Sequence, residues 1–282
     1  MRMKQMRIVI VILISIIFCV FSGCSKEESD IVSDICDEYG LNIVEKEIFI
    51  EGLEGEYQFL FLADTHALIK TFEYIDDWGL TVDSRIEAFS NSKNVSSKEQ
   101  FEKWIDIANA ERVDALLLGG DILDYYTPEN HEWLLSELGR LKTPYIYALG
   151  NHEICEPYDK IDKSKNATDV FDEKHNECSY IDYGEFVVCS INSGQNRISP
   201  EALQLFTQIY NMQKPIILIS HIPLCSENTP LLKADTERIR GENRLIDPDL
   251  SVEMDSSTKE FYNLIVSENS PVVAVLCGHN HF

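Results

Sequence analysis

Five short polar clusters carry side chains able to bind metal ions or move protons. They are Asp64-Thr65-His66, Gly120-Asp121 with Asp124 three residues on, Gly150-Asn151-His152-Glu153, Ser220-His221, and Gly278-His279-Asn280-His281. Imidazole and carboxylate in combination suit Mn, Fe or Zn. Taken singly, Asp-x-His and Gly-Asp occur in many ordinary turns. The last cluster is more specific: from the chain's 13 glycines and 7 histidines, Gly-His-x-His is expected about 0.008 times by chance. Only His131 and His175 lie outside the clusters, so the set reads as a site rather than as scattered core or surface histidines.

Each cluster directly follows a hydrophobic run, ending at Leu62, Leu118, Leu149, Ile219 or Leu276. Open α/β sheets place their sites at the carboxyl ends of strands. Strands are expected over 43–50, 57–62, 113–118, 145–149, 216–219 and 272–276. A hairpin is expected from 179–182 and 185–191, joined through Tyr183-Gly184. Helices are expected after Ser96, whose capping box with Glu99 precedes Phe101, Trp104, Ile105 and Ala108 at helical spacing. Others are expected from Thr127-Pro128, from Ser199-Pro200-Glu201, and over 259–266. Strands alternating with helices, plus a hairpin, imply an α/β architecture layered around mixed sheets.

With 282 residues, 44% hydrophobic and 26% charged, the composition is that of a globular protein with ample chain for a core. No internal repeat or long linker interrupts 43–282, so one domain is expected there. The 24 Lys+Arg against 48 Asp+Glu leave a formal charge of −24. Such a surface repels phosphate backbones and argues against nucleic-acid binding through a basic surface. An anionic substrate would need a local positive centre, which bound metal ions supply.

Residues 1–23 read as an export signal: Arg2, Lys4 and Arg7 precede an uncharged run from Ile8 to Phe21, short for a bilayer span. Phe21-Ser22-Gly23-Cys24 resembles a bacterial lipobox, with Phe21 where Leu, Val or Ile is usual. It implies a lipid on Cys24 and an extracytoplasmic protein anchored to the membrane, with 24–42 as an acidic tether. Cys19 lies in the signal, and the remaining six cysteines, Cys36, Cys155, Cys178, Cys189, Cys225 and Cys277, have no CxxC pairing and no zinc-finger spacing. Their redox pairing is left open, as is the oligomeric state.

In this order the clusters resemble the calcineurin-like metallophosphoesterase superfamily, over roughly 43–282. The resemblance implies a four-layer α/β/β/α sandwich of two mixed sheets flanked by helices. It implies two metal ions (Mn, Fe or Zn): Asp64, His66 and His281 on one, Asn151, His221 and His279 on the other, and Asp121 bridging. A metal-bridging hydroxide would attack a phosphomonoester or phosphodiester substrate, His152 would protonate the leaving group, and Asp124 would orient His152. Phosphoprotein phosphatases of the superfamily carry Arg where Tyr125 and Leu149 stand, and purple acid phosphatases carry Tyr where Asp124 stands, so neither class is expected. Phe282 follows the last ligand by one residue where relatives continue, so truncation is one expectation. Tyr125, Tyr126, Trp78 and the stretch 67–94 are either a substrate wall or packing. A metal-binding surface lipoprotein without turnover is the alternative, with an extracytoplasmic solute-binding protein as a third reading.

Overall fold

The computed structural model describes residues 8–11, 26–70, 81–154, 177–226, 229–240, 245–247 and 254–281. Alternating side chains build its sheets. In β3 (Tyr57–Leu62), Phe59 and Phe61 face one hydrophobic cluster while Leu60 and Leu62 face another. Parallel β4 (Ala115–Leu118) and β5 (Tyr145–Tyr147) extend the same sheet. On the other side of β3 come β1 (Ile8–Val11) and then β2 (Glu45–Ile48), giving the order β2-β1-β3-β4-β5. The second sheet runs β6 (Cys178–Asp182), β7 (Val187–Ile191), β8 (Ile216–Ser220), β9 (Val272–Leu276); β6 and β7 form the expected antiparallel hairpin and the rest are parallel.

The sheets pack face to face through Phe59, Phe61, Ala115 and Leu117 against Phe186, Val188, Ile217 and Ile219. Helices α1 (Lys26–Tyr39), α3 (Ser97–Glu111) and α4 (Pro128–Leu138) cover the outer face of the first sheet, through Val32, Phe101, Trp104 and Leu134. Phe206 of α6 (Pro200–Tyr210) and Phe261 of α8 (Ser256–Val266) cover the second sheet. The result is the expected α/β/β/α stack. Helix entry follows the sequence closely: Ser96 forms its capping box with Glu99, and Thr127 and Ser199 cap helices that open with Pro128 and Pro200. Such caps are worth about 1 kcal/mol each.

Two N-terminal stretches pack on the domain. The acidic 24–42 segment is not an open tether: α1 buries Val32, with Ile35, Cys36 and Tyr39 packed against the same core. Those four positions share one helical face, so the acidic residues occupy the rest of the surface. Within the run expected as an export signal, Ile8–Val11 pairs antiparallel with β2 and parallel with β3.

Strand register decides what meets at the carboxyl edge. Leu62 lies opposite Leu118, and Leu118 opposite Tyr147, so the loops leaving β3, β4 and β5 emerge level. Ile219 lies opposite Leu276, which does the same for β8 and β9.

Candidate metal centre

Those five loops converge. Asp64 and His66 follow β3, Asp121 and Asp124 follow β4, and Asn151 and His152 begin the short α5 (Asn151–Ile154) after β5. His221 follows β8, and His279 and His281 follow β9. The backbone bends sharply to deliver them: Asp64, His66, Asp121, His279 and His281 all have positive φ, between 47° and 76°. Non-glycine residues held there cost energy and mark sites that the surrounding structure over-determines. Two neighbouring glycines are required by closeness. A Cβ on Gly150 would sit 2.2 Å from Oδ1 of Asp121, and one on Gly278 2.4 Å from Oδ2 of Asp64.

The ligand atoms fall into three adjoining groups: Asp64, His66, Asp121 and His281; Asp121, His221 and His279; and His66, Asp124 and His152. Asp121 is common to the first two and His66 to the first and third. His66 Nε2 lies 3.1 Å from His281 Nε2 and 3.8 Å from Asp121 Oδ2, and His281 Nε2 lies 3.1 Å from Asp64 Oδ1. On the other side, His221 Nε2 stands 3.1 Å from Asp121 Oδ2. Oδ1 of Asp121 accepts the His152 backbone N–H at 2.8 Å, and the Asp64 carboxylate accepts the His279 N–H at 2.8 and 2.9 Å.

Tautomers follow from the outer hydrogen bonds. His66 Nδ1 donates to the Asp124 carboxylate at 3.0 Å, and His221 Nδ1 donates to the Gly119 carbonyl at 2.8 Å. Each ring therefore turns Nε2 toward the centre, the arrangement that orients metal-ligating histidines. Burial lowers the His221 pKa, but Asp121 beside its Nε2 outweighs this and pushes it up to about 9. Burial lowers the pKa of His66, which favours the neutral ring. Burial pushes the Asp121 carboxyl up, but His221 and the charges of His152 and His66 outweigh it and hold it well below the usual range. Nε2 of His221 and Oδ1 of Asn151 are buried without a hydrogen-bond partner. Buried polar atoms are normally satisfied. Oδ1 of Asn151 is an orphaned lone pair, and Nε2 of His221 has only the Asp121 carboxylate at 3.1 Å beside it; a cation satisfies such a set, so the residues present fit a metal site.

The acid–base candidates lie at one edge. His152 Nδ1 donates to the backbone carbonyl of Asp124 at 2.5 Å, with the Asp124 carboxylate 3.5 Å away. That carboxylate is held more closely elsewhere, by His66 and by Nε and Nη2 of Arg85. Burial opposes protonation of His152, but Asp124 and the Asp121 charge outweigh it and push its pKa up to about 9. Tyr125 and Tyr126 are buried and pack inward, Tyr125 against Leu68 and Val82; Trp78 lies outside the described residues.

Arg85 and Phe89 were not anticipated. Arg85 belongs to α2 (Val82–Ala88), and its guanidinium lies over Phe89, whose ring stacks on His66 with centroids 4.2 Å apart. No residue-type pattern signals this contact; its one hint is that the stretch follows the first cluster. Cys178 and Cys189 are both free thiols, with Sγ atoms 3.7 Å apart.

Residues 57–282 match the family model described as calcineurin-like phosphoesterase, and the chain belongs to that family. Among solved structures, a dimetal phosphatase from Danio rerio is similar at 12% identity, over 59% of this chain and 70% of that one, with a TM-score of 0.38. No curated protein matches the chain.

Proposed function

We propose, from membership of the calcineurin-like phosphoesterase family and from the donor set described above, that this chain hydrolyses phosphomonoesters or phosphodiesters at a two-metal centre. Asp64, His66 and His281 hold one ion, Asn151, His221 and His279 the other, and Asp121 serves both. When bound, such ions neutralise phosphate charge and supply a nucleophilic water at neutral pH. The convergence of these donors on Asp121, with Oδ1 of Asn151 buried without a partner, is the observation behind this reading.

The chain's own groups do the rest. Asp124 keeps Nε2 of His66 free for an ion by accepting from its Nδ1. His152 has Nδ1 engaged by the Asp124 carbonyl, which leaves Nε2–H of its imidazolium to protonate a leaving oxygen. Neither Tyr125 nor Leu149 offers the bidentate guanidinium that phosphoprotein recognition uses, so small esters are the favoured substrates.

From Phe21-Ser22-Gly23-Cys24 we further propose that the protein is extracytoplasmic and tethered by a lipid on Cys24. No helix among the described residues is long and apolar enough to cross a membrane. Cys24→Ser should release the protein from the membrane fraction or block its maturation, and a variant processed and bound as before would overturn the tether. For the activity, the test is metal content together with turnover of chromogenic phosphate monoesters and diesters in Mn²⁺. Two ions per chain with turnover is the expected result. Two ions without turnover on any ester would instead identify a metal-binding surface lipoprotein.

A further inference from the structure

Glu153 is the most completely enclosed acidic group beside the site, with no exposed surface, and no role above uses it. Its two oxygens accept five hydrogen bonds. Oε2 takes the backbone N–H of Asp121 at 2.9 Å and of Gly150 at 2.7 Å. Oε1 takes the N–H of Ile122 at 2.5 Å, the N–H of Leu123 at 3.0 Å and the Tyr147 hydroxyl at 2.8 Å. Burial and the nearby Asp121 charge raise the Glu153 pKa, while donors on both oxygens favour the carboxylate.

The donors come from two different loops. Asp121, Ile122 and Leu123 follow β4; Gly150 follows β5, to which Tyr147 belongs. A single side chain thus clamps the two loops to each other. The clamp grips a strained point, because Asp121 has φ 51° and Glu153 accepts both from its own N–H and from the next one. On the far side, Oδ1 of Asp121 is tied to the N–H of His152, the residue after Asn151.

We infer that Glu153 is a positioning residue that sets the place of Asp121 relative to Asn151, and so governs binding of the second metal ion rather than the first. This rests on the two-metal reading proposed above. The first ion's other residues, Asp64, His66 and His281, come from the loops after β3 and β9; Glu153 makes no direct bond to them, and the clamped loop reaches Asp64 and His66 through the Gly120 and Asp121 carbonyls. Asn151, by contrast, stands one residue after Gly150, inside the clamped loop. Replacing such an outer support ordinarily weakens metal binding by about 10- to 100-fold. Glu153→Gln keeps the shape but turns an N–H₂ toward backbone N–H donors at one end, leaving them unsatisfied.

The test is Mn²⁺ titration of the full chain, with the stoichiometry of each binding step and the electron paramagnetic resonance spectrum as readouts. Wild type should bind two ions and show the spectrum of a magnetically coupled pair. Glu153→Gln should take up the first ion nearly as wild type, bind the second about 10- to 100-fold more weakly, and show isolated Mn²⁺ instead of the pair. Tyr147→Phe removes one donor and leaves the carboxylate, so it should weaken only the second step, by a smaller factor. If Glu153→Gln fails to fold, Tyr147→Phe decides the matter alone. A folded variant with both steps and the coupled spectrum unchanged would show that Glu153 merely packs. Equal weakening of both steps would overturn the proposal as well. A wild-type chain binding fewer than two ions would instead bring down the two-metal reading, and this proposal with it.

Discussion

His66 and His281, 215 positions apart in the chain, bring their Nε2 atoms to 3.1 Å from each other. Nδ1 of His66 already donates to Asp124, so its Nε2 carries a lone pair. His281 Nε2–H can donate to that lone pair or to Asp64 Oδ1, also at 3.1 Å, so a proton joins the two rings where a cation would take its place. Asp64 and Asp121 add negative charge on the same side. A cation held by these four side chains would tie together loops from opposite sheets.

Metal removal should therefore lower stability as well as activity. An ion present at 100 times its dissociation constant stabilises the folded chain by about 2.7 kcal/mol. For a chain of this size that is roughly 5–10 °C in melting temperature. Exhaustive chelation should lower the midpoint by that order, and Mn²⁺ should restore it. A midpoint indifferent to chelation would contradict a metal tie between the sheets.

Asp121→Asn tests the shared ligand. Asp121 is the member common to the first two groups of donor atoms, and its charge offsets the repulsion between two cations. The variant should lose the second ion and nearly all turnover while keeping its secondary structure. Full occupancy of both places with normal turnover would remove Asp121 from the centre.

The sheet edge was legible because each cluster lies within a few residues of an apolar run, and strand ends fix where such residues go. What brings β3 and β9 together is tertiary, yet the chemistry of Asp64, His66, His279 and His281 announced it. Arg85 carried no such mark: its bond to Asp124 joins positions 39 apart and depends on how α2 folds back. Glu153 was visible as a residue, but complete burial of a carboxylate is a property of the two loops that enclose it. The α1 stripe was hidden by the acidic residues around it, since Val32, Ile35, Cys36 and Tyr39 are few among many charges.

His131 gives the stability a pH dependence apart from the centre. Burial lowers its pKa from 6.5 to about 4. The unfolded chain thus binds a proton at a pH where the folded one does not. The stability it contributes is present above about pH 6.5 and is lost as the pH falls through about 4. His131→Gln should flatten the fall in melting temperature over that window. An acid slope identical to wild type would show that other groups set it.

The strand Ile8–Val11 separates β2 from β3. Strand β2 runs antiparallel to β1 and β1 parallel to β3, so β2 already runs antiparallel to β3. The connection 49–56 is long enough for a hairpin, and closing the gap needs a shift of about one strand spacing, ~4.8 Å. A chain beginning at Cys24 should therefore fold with β2 paired on β3 and retain its metal content. Hydrogen exchange should find the β3 amides still protected. Unprotected β3 amides or loss of metal binding would mean that Ile8–Val11 is an obligatory strand.

His152→Ala separates binding from chemistry. His152 touches Asp121 only through its backbone N–H, which alanine keeps, so both ions should remain. Its ring is fixed by the Asp124 carbonyl at Nδ1, and its raised pKa, about 9, keeps Nε2 protonated at neutral pH. Losing that proton donor should slow turnover roughly 10²–10⁴-fold, the range for general acid catalysis. The loss should be largest for alkyl esters, whose leaving oxygens need a proton, and smaller for activated aryl esters. Asp124→Asn should show a milder form of the same selectivity. It should also disturb metal content, because the Asp124 carboxylate bonds to His66 more closely than to His152. If His152→Ala strips an ion, or slows alkyl and aryl esters alike, His152 is a ligand or a phosphate anchor and not the acid.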